Sequence, residues 1–151
     1  MVIRRAEAED MAGVMSVVNR VFDEQGIPEE MNPISADRHP IWWCIEEEGR
    51  ILGAISCFTD KEGKHLGRFA MLPELRGRGA GTALIDFVLD DIFSHSRETI
   101  TYEARDVSVH ITEKYGAVVA GETTPFYGDN ITPMILTYEA YTEARRQREC
   151  H

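Results

Sequence analysis

Leu66-Gly67-Arg68-Phe69-Ala70-Met71-Leu72-Pro73-Glu74-Leu75-Arg76-Gly77-Arg78-Gly79-Ala80-Gly81-Thr82-Ala83-Leu84 is the stretch whose reading decides the fold. An apolar run ends at Pro73, a short loop dense in arginine and glycine follows, and an apolar helix begins at once. Read as strand, loop and helix, it presents unpaired backbone N–H groups at a helix N-terminus. The positive end of the helix dipole points the same way, so such a loop attracts phosphate. Its glycines let a ligand approach the backbone with no Cβ in the way.

Three phosphate motifs compete for this loop. A P-loop needs a Gly-Lys-Ser/Thr ending, and the loop holds no lysine. The dinucleotide fingerprint GxGxxG is not matched, because the glycines fall at 77, 79 and 81. The third motif, R/Q-x-x-G-x-G/A, is satisfied at every position by Arg76-Gly77-Arg78-Gly79-Ala80-Gly81.

Outward from the loop, Val2 to Arg5 reads as a first strand. Met11, Val14, Met15, Val18, Val21 and Phe22 recur at helical spacing, and Gln25-Gly26 ends that helix. Pro28 to Met31 reads as a second short helix, and Asn32 to Pro40 as a loop. Strands are expected over 41–47, 50–58 and 65–71, with Glu48-Gly49 as a hairpin turn. After the glycine loop, Ala83, Leu84, Phe87, Val88, Ile92 and Phe93 define the buried face of a long helix, widened by Ile85 and Leu89. A strand over 99–104, a helix over 106–115 capped by Gly116, and strands over 117–122 and 131–138 follow. Thr123 to Asn130 reads as a loop between those last strands, and a polar helix closes the chain.

The order is βααβββαβαββ, an α/β arrangement with a mixed sheet. With the R-x-x-G-x-G loop, this order resembles the GCN5-related N-acetyltransferase (GNAT) family over nearly the whole chain. Val21-Phe22-Asp23-Glu24-Gln25 and Gly128-Asp129-Asn130-Ile131-Thr132-Pro133-Met134 are similar, more weakly, to its ElaA-like branch. The resemblance implies a largely antiparallel, splayed sheet flanked by helices. It divides the chain into an acyltransferase domain over 1–138 and a C-terminal polar helix or tail over 139–151.

It further implies an N-acyltransferase that takes acetyl-CoA as donor and an amine, expected to be a small molecule, as acceptor by direct transfer. The amides of Arg76, Gly77, Arg78, Gly79, Ala80, Gly81 and Thr82 would hold the pyrophosphate. Phe69, Ala70 and Met71 would pair with the pantetheine arm, and Met71 N–H would stabilise the oxyanion. A β-bulge is expected near Met71. The family's acidic tyrosine is replaced here by Thr112 in Thr112-Glu113-Lys114-Tyr115-Gly116, so Thr112 and Tyr115 are the acid candidates. Glu24 is the base candidate. Phe126, Tyr127 and the Trp42–Trp43 pair are candidates for the acceptor walls. A non-catalytic acyl-CoA-binding protein and a protein N-acetyltransferase are the alternative readings.

Composition bounds the rest. A chain of 151 residues fits one domain. Net charge is −10, from 26 acidic and 16 basic residues, which argues against nucleic acid and suits a cationic acceptor. No apolar run approaches the ~18–20 residues of a membrane span. Three cysteines without CxxC spacing and five scattered histidines point to no disulfide framework and no metal. Cys57 reads as a buried structural thiol. A cytoplasmic address is expected, and a homodimer is left open.

Overall fold

The computed structural model describes residues 1–150. Strands β1 (Val2–Arg5), β2 (Ile41–Glu47), β3 (Arg50–Asp60), β4 (Gly63–Met71), β5 (Ile100–Arg105), β6 (Val118–Val119), β7 (Thr124–Phe126) and β8 (Asp129–Leu136) form one sheet. The path is β1-β2-β3-β4-β5-β8-β6, with β7 paired to β8. Helices α1 (Met11–Glu24), α2 (Ala80–His95), α3 (Asp106–Glu113) and α4 (Tyr138–Glu149) flank it. All pairings are antiparallel except β4–β5, which is parallel. The architecture is the mixed sheet expected from the element order, splayed as the family resemblance implies.

Helix α2 buries Leu84, Ile85, Val88, Leu89, Ile92 and Phe93. Each such side chain contributes about 1.5–3 kcal/mol, so packing rather than propensity holds the helix. A polar clasp adds direction. Asp91 of α2 accepts from Trp43 Nε1 at 2.8 Å and from Arg5 Nε at 2.7 Å, joining α2 to β1 and β2. Helix α1 packs its stripe on β3 and β4, and a Cβ at Gly13 would stand 3.1 Å from Ile51 Cγ1, close enough that this side chain would have to shift.

Four expectations are corrected. Glu29–Met31 is one 3-10 turn, not a helix, because the chain is pulled inward at buried Ile27 and Asn32. Asn32 Nδ2 donates there to Asn19 Oδ1 at 2.8 Å, anchoring the turn to α1. Phe87 is 40% exposed, since it projects from the outer flank of α2 while Leu84 and Val88 face the core. The 117–122 strand shrinks to Val118–Val119. Thr123–Asn130 is not a loop: β7 and β8 form a hairpin closed by Tyr127-Gly128, both at positive φ (45° and 79°). Two consecutive left-handed residues match the twist of a hairpin, although tyrosine is a poor predictor of one.

Helix α4 is tied back to the body by Phe93 and Tyr141, whose rings stack at 4.8 Å, and by buried Tyr141. Gly116 (φ +102°) makes that docking fit, for a Cβ there would lie 2.6 Å from the Ala140 carbonyl oxygen. Gly116→Ala is therefore expected to destabilise the fold by about 1–3 kcal/mol. The measurement is a urea melt, with a lower midpoint and an unchanged m-value. An unchanged midpoint would show that α4 is not clamped at this glycine.

Candidate active site

The site begins with a fault in the sheet. β4 pairs with β5 only at Lys64↔Ile100 and His65↔Thr101, after which the two strands part. On its other side β4 stays paired to β3, but the register slips so that Arg68 and Phe69 together oppose Ile55. The expected bulge is thus present, two to three residues before Met71. Arg68 takes the left-handed conformation, φ 59°, an uncommon state for a residue with a side chain. The extra residue bends β4 away from β5.

The gap opens into a cavity of about 1050 Å³. One edge is the backbone of β4. Leu72 N donates to Leu52 O at 2.9 Å across the β3 side. Successive amides alternate, so the Met71 N–H points the other way, into the gap. Met71 and Phe69 line the cavity, whereas Ala70 turns its side chain into the core.

At one end the cavity meets the glycine loop. Gly77 (φ 76°) and Gly79 (φ 71°) are both left-handed, and no neighbour would obstruct a Cβ at either. They are glycine for conformation, not for space. Ala83 N donates to Gly79 O at 3.0 Å as the first ladder bond of α2, leaving the amides of Ala80, Gly81 and Thr82 ahead of it. Arg76, Gly77, Gly79, Ala80, Gly81 and Thr82 line the cavity. Arg78 does not. Its guanidinium turns outward to Glu47, at 2.6 and 3.3 Å, and the pair holds the loop against β2. That contact keeps the Glu47 carboxyl below its ordinary range.

The remaining candidates separate. Glu24 ends α1 on the solvent side, 3.9 Å from Arg20, and is not part of the cavity wall. Gln25, the next residue, faces inward and meets Arg105. Thr112 lines the cavity but is 1% exposed, and its hydroxyl donates to the Ser108 carbonyl at 2.8 Å. Tyr115 lies outside the cavity wall, buried beneath the Arg148 guanidinium at 4.4 Å. Neither Trp42 nor Trp43 reaches the site, both being held in the core. Phe126 does line it, and Tyr127 packs edge-on against that ring at 4.7 Å. The Tyr127 hydroxyl donates to Met31 Sδ at 3.6 Å, so the β7–β8 turn leans on the turn at Met31. Cys57 is buried, and desolvation pushes its thiol up to about 11, the opposite of an activated nucleophile.

Several cavity residues were not singled out from the sequence. Tyr102 sits on β5 beside Thr112, 8% exposed, and its hydroxyl is buried with no hydrogen-bond partner. Burial pushes that phenol up to about 12. Ile100, Tyr102 and Ala104 share one face of β5, and the short side chain at 112 leaves room for the ring. That pairing of a small residue on α3 with a large one on β5 was the available signal. On the other face of β5, Glu103 lines the gap without an ion-pair partner among the described residues, and Arg105 lies two residues on. His65, at the point where the strands part, is fully engaged. Its Nε2 is 2.8 Å from Asp60 Oδ1 and its Nδ1 2.9 Å from Thr101 Oγ1. Among the described residues no group of three or more His, Cys, Asp or Glu could hold a metal, and no helix is long and apolar enough to cross a membrane.

Comparison with known proteins agrees with this geometry. The family model "Acetyltransferase (GNAT) family" matches residues 11–117. Escherichia coli ElaA superposes with a TM-score of 0.75 at 14% identity, over 89% of this chain and 99% of ElaA. An acyl-CoA N-acyltransferase from Pseudomonas aeruginosa gives 0.73 at 16% identity, over 89% and 96%. FeeM, an N-acyl amino acid synthase from uncultured soil microbes, gives 0.74 at 13%, over 95% of each chain. At such identities these three establish shared fold alone. No curated protein sequence matches the chain. The family match spans well over half of the residues, and its limits enclose the bulge, the parted strands and the glycine loop: the chain belongs to the GNAT acetyltransferase family.

Proposed function

We propose that this protein transfers an acetyl group directly from acetyl-CoA to the amine of a small molecule. The observation that carries the reading is the unpaired edge of β4 running without a break into the orphan amides of the glycine loop. Together they form one backbone surface that suits an amide-bearing arm ending in a pyrophosphate. In this reading Gly77 to Thr82, with Arg76, take the pyrophosphate, and the edge from Phe69 to Met71 pairs with the pantetheine. A cytoplasmic setting goes with it, since acetyl-CoA is the co-substrate.

The chemistry follows from what faces the gap. The amine nitrogen attacks the thioester carbonyl carbon, and the oxygen that gains charge is met by the Met71 N–H. The C–N bond forms, the C–S bond breaks, and one proton must leave nitrogen while another reaches sulfur. Glu103 takes the first role in place of Glu24, because it is the unpartnered carboxylate on the strand beside the acceptor. Tyr102 takes the second in place of Thr112. Its phenol is protonated across the neutral range and has no partner to give up, whereas the Thr112 hydroxyl is committed to its own helix. A non-catalytic acyl-CoA-binding role is motivated by the missing helix tyrosine and the absent glutamate on β4; Tyr102 and Glu103 on β5 favour the catalytic reading.

Two measurements test this. Thiol release from acetyl-CoA on adding an amine panel is expected for the wild type, and CoA binding without release on any amine would favour the non-catalytic reading. Gly79→Asp should keep the fold at a cost of about 1–2 kcal/mol, because the side chain has space and aspartate tolerates left-handed backbone better than most residues, yet lose CoA binding, because a carboxylate would face the phosphates. Retained CoA affinity would remove the loop from the site. Separately, Tyr102→Phe is expected to lower kcat by about a hundredfold with the KM for acetyl-CoA unchanged, and Thr112→Ala to have a far smaller effect. Full turnover in Tyr102→Phe would show that the thiolate finds its proton elsewhere.

A further inference from the structure

Two shielded arginines at the acceptor end of the cavity are incompletely matched, in a chain that has a surplus of negative charge. Net charge is −10, and the shielded cations Arg4 and Lys64 have carboxylates at 2.7 and 3.4 Å. Arg68 has none. Its Nε donates to the Asn32 carbonyl at 3.0 Å, its guanidinium lies 5.6 Å from the Phe58 ring centre, and no other hydrogen bond or ion pair engages it among the described residues. The bulge that parts the strands also aims this side chain, at the cost of left-handed backbone.

Arg105 stands across the gap at the end of β5, and both arginines line the cavity. Its Nη1 donates to Gln25 Oε1, and Asp129 Oδ2 lies 3.8 Å from Nε on the outer side. Its Nη2 is buried with no partner at all. A guanidinium offers five N–H donors in a rigid fork, and leaving them unmatched away from water is unfavourable. Burial holds both arginines below the ordinary arginine range, with Arg38 adding repulsion at Arg68 and Asp129 only partly offsetting the burial of Arg105.

We infer that Arg68 and Arg105 receive a carboxylate of the acceptor, so that the acceptor is an amine carrying a carboxylate, of the amino-acid class. The inference rests on the acyl-transfer reading above. A singly charged, planar carboxylate fits better than a phosphate, because Asp60, Glu62, Glu103 and Asp129 also border the cavity and would repel a dianion. Glu103 and Arg105 project from the same face of β5, which sets the amine toward the carboxylate and the acid toward the arginine. Phe22, Ile27, Met31 and Phe126 supply an apolar wall for the acceptor's side chain.

The test is binding, so it does not depend on turnover. N-acetyl-L-phenylalanine and its uncharged amide are titrated into the CoA-loaded protein by calorimetry, for the wild type, Arg68→Gln, Arg105→Gln and Arg105→Lys. The acid is expected to bind at least about tenfold more tightly than the amide in the wild type. Each glutamine variant should erase most of that preference while leaving the amide's affinity and CoA binding unchanged, and Arg105→Lys should restore part of it. Equal binding of acid and amide, equal loss of both in the variants, or binding of neither overturns the inference. Arginine-dependent binding of the acid with no thiol release from any amine would retain this inference and overturn acyl transfer. Thiol release with neutral amines and amino acids alike would do the reverse.

Discussion

Everything at this site depends on one sheet contact that stops short. β4 and β5 share only two residue pairs before they separate. Between parallel strands, each lost pairing strands backbone donors and acceptors that ordinarily must be satisfied. The fold pays for that twice, in unpaired backbone and in the left-handed Arg68, and it keeps the cost local through continuous β3–β4 pairing. What results is a strand edge inside the molecule, shielded from the self-association that exposed edges invite.

The two ends of the gap are built by different means. The end at the glycine loop is almost wholly backbone: the Met71 amide, the loop amides and the first turn of α2, fixed by two left-handed glycines and by the outward Arg78–Glu47 pair. The opposite end is built from side chains that come from α1, β4, β5 and the β7–β8 hairpin. Backbone cradles depend little on which side chains are present. Side-chain pockets change with each substitution, and that is where this chain departs from its family's pattern.

The same division explains what was legible in the sequence. Strands β2 and β3 and the Glu48-Gly49 turn were plain because two continuous apolar runs flank a two-residue turn that ends in glycine. The glycine loop was plain because its conformation requires glycine. The β7–β8 hairpin was hidden because tyrosine occupies a left-handed position usually held by asparagine, aspartate or glycine. Glu24 was the base candidate from the sequence, yet one residue rotates a helix by about 100°, and that rotation turns Glu24 to solvent and Gln25 inward. Tyr102 and Arg105 carry no motif that sets them apart in the sequence. Only tertiary contact shows that the first has an unpartnered hydroxyl and the second an unpartnered nitrogen.

In the proposed reading the parted edge of β4 and the glycine loop act as a single surface for coenzyme A. Hydrogen exchange with and without saturating acetyl-CoA tests it most directly, since the amides in question are those with no partner in the free protein. The expected result is slowed exchange at Met71 and at Gly77–Thr82 together, with ATP and magnesium producing neither. Protection of the loop without the strand, or of neither segment, would contradict it.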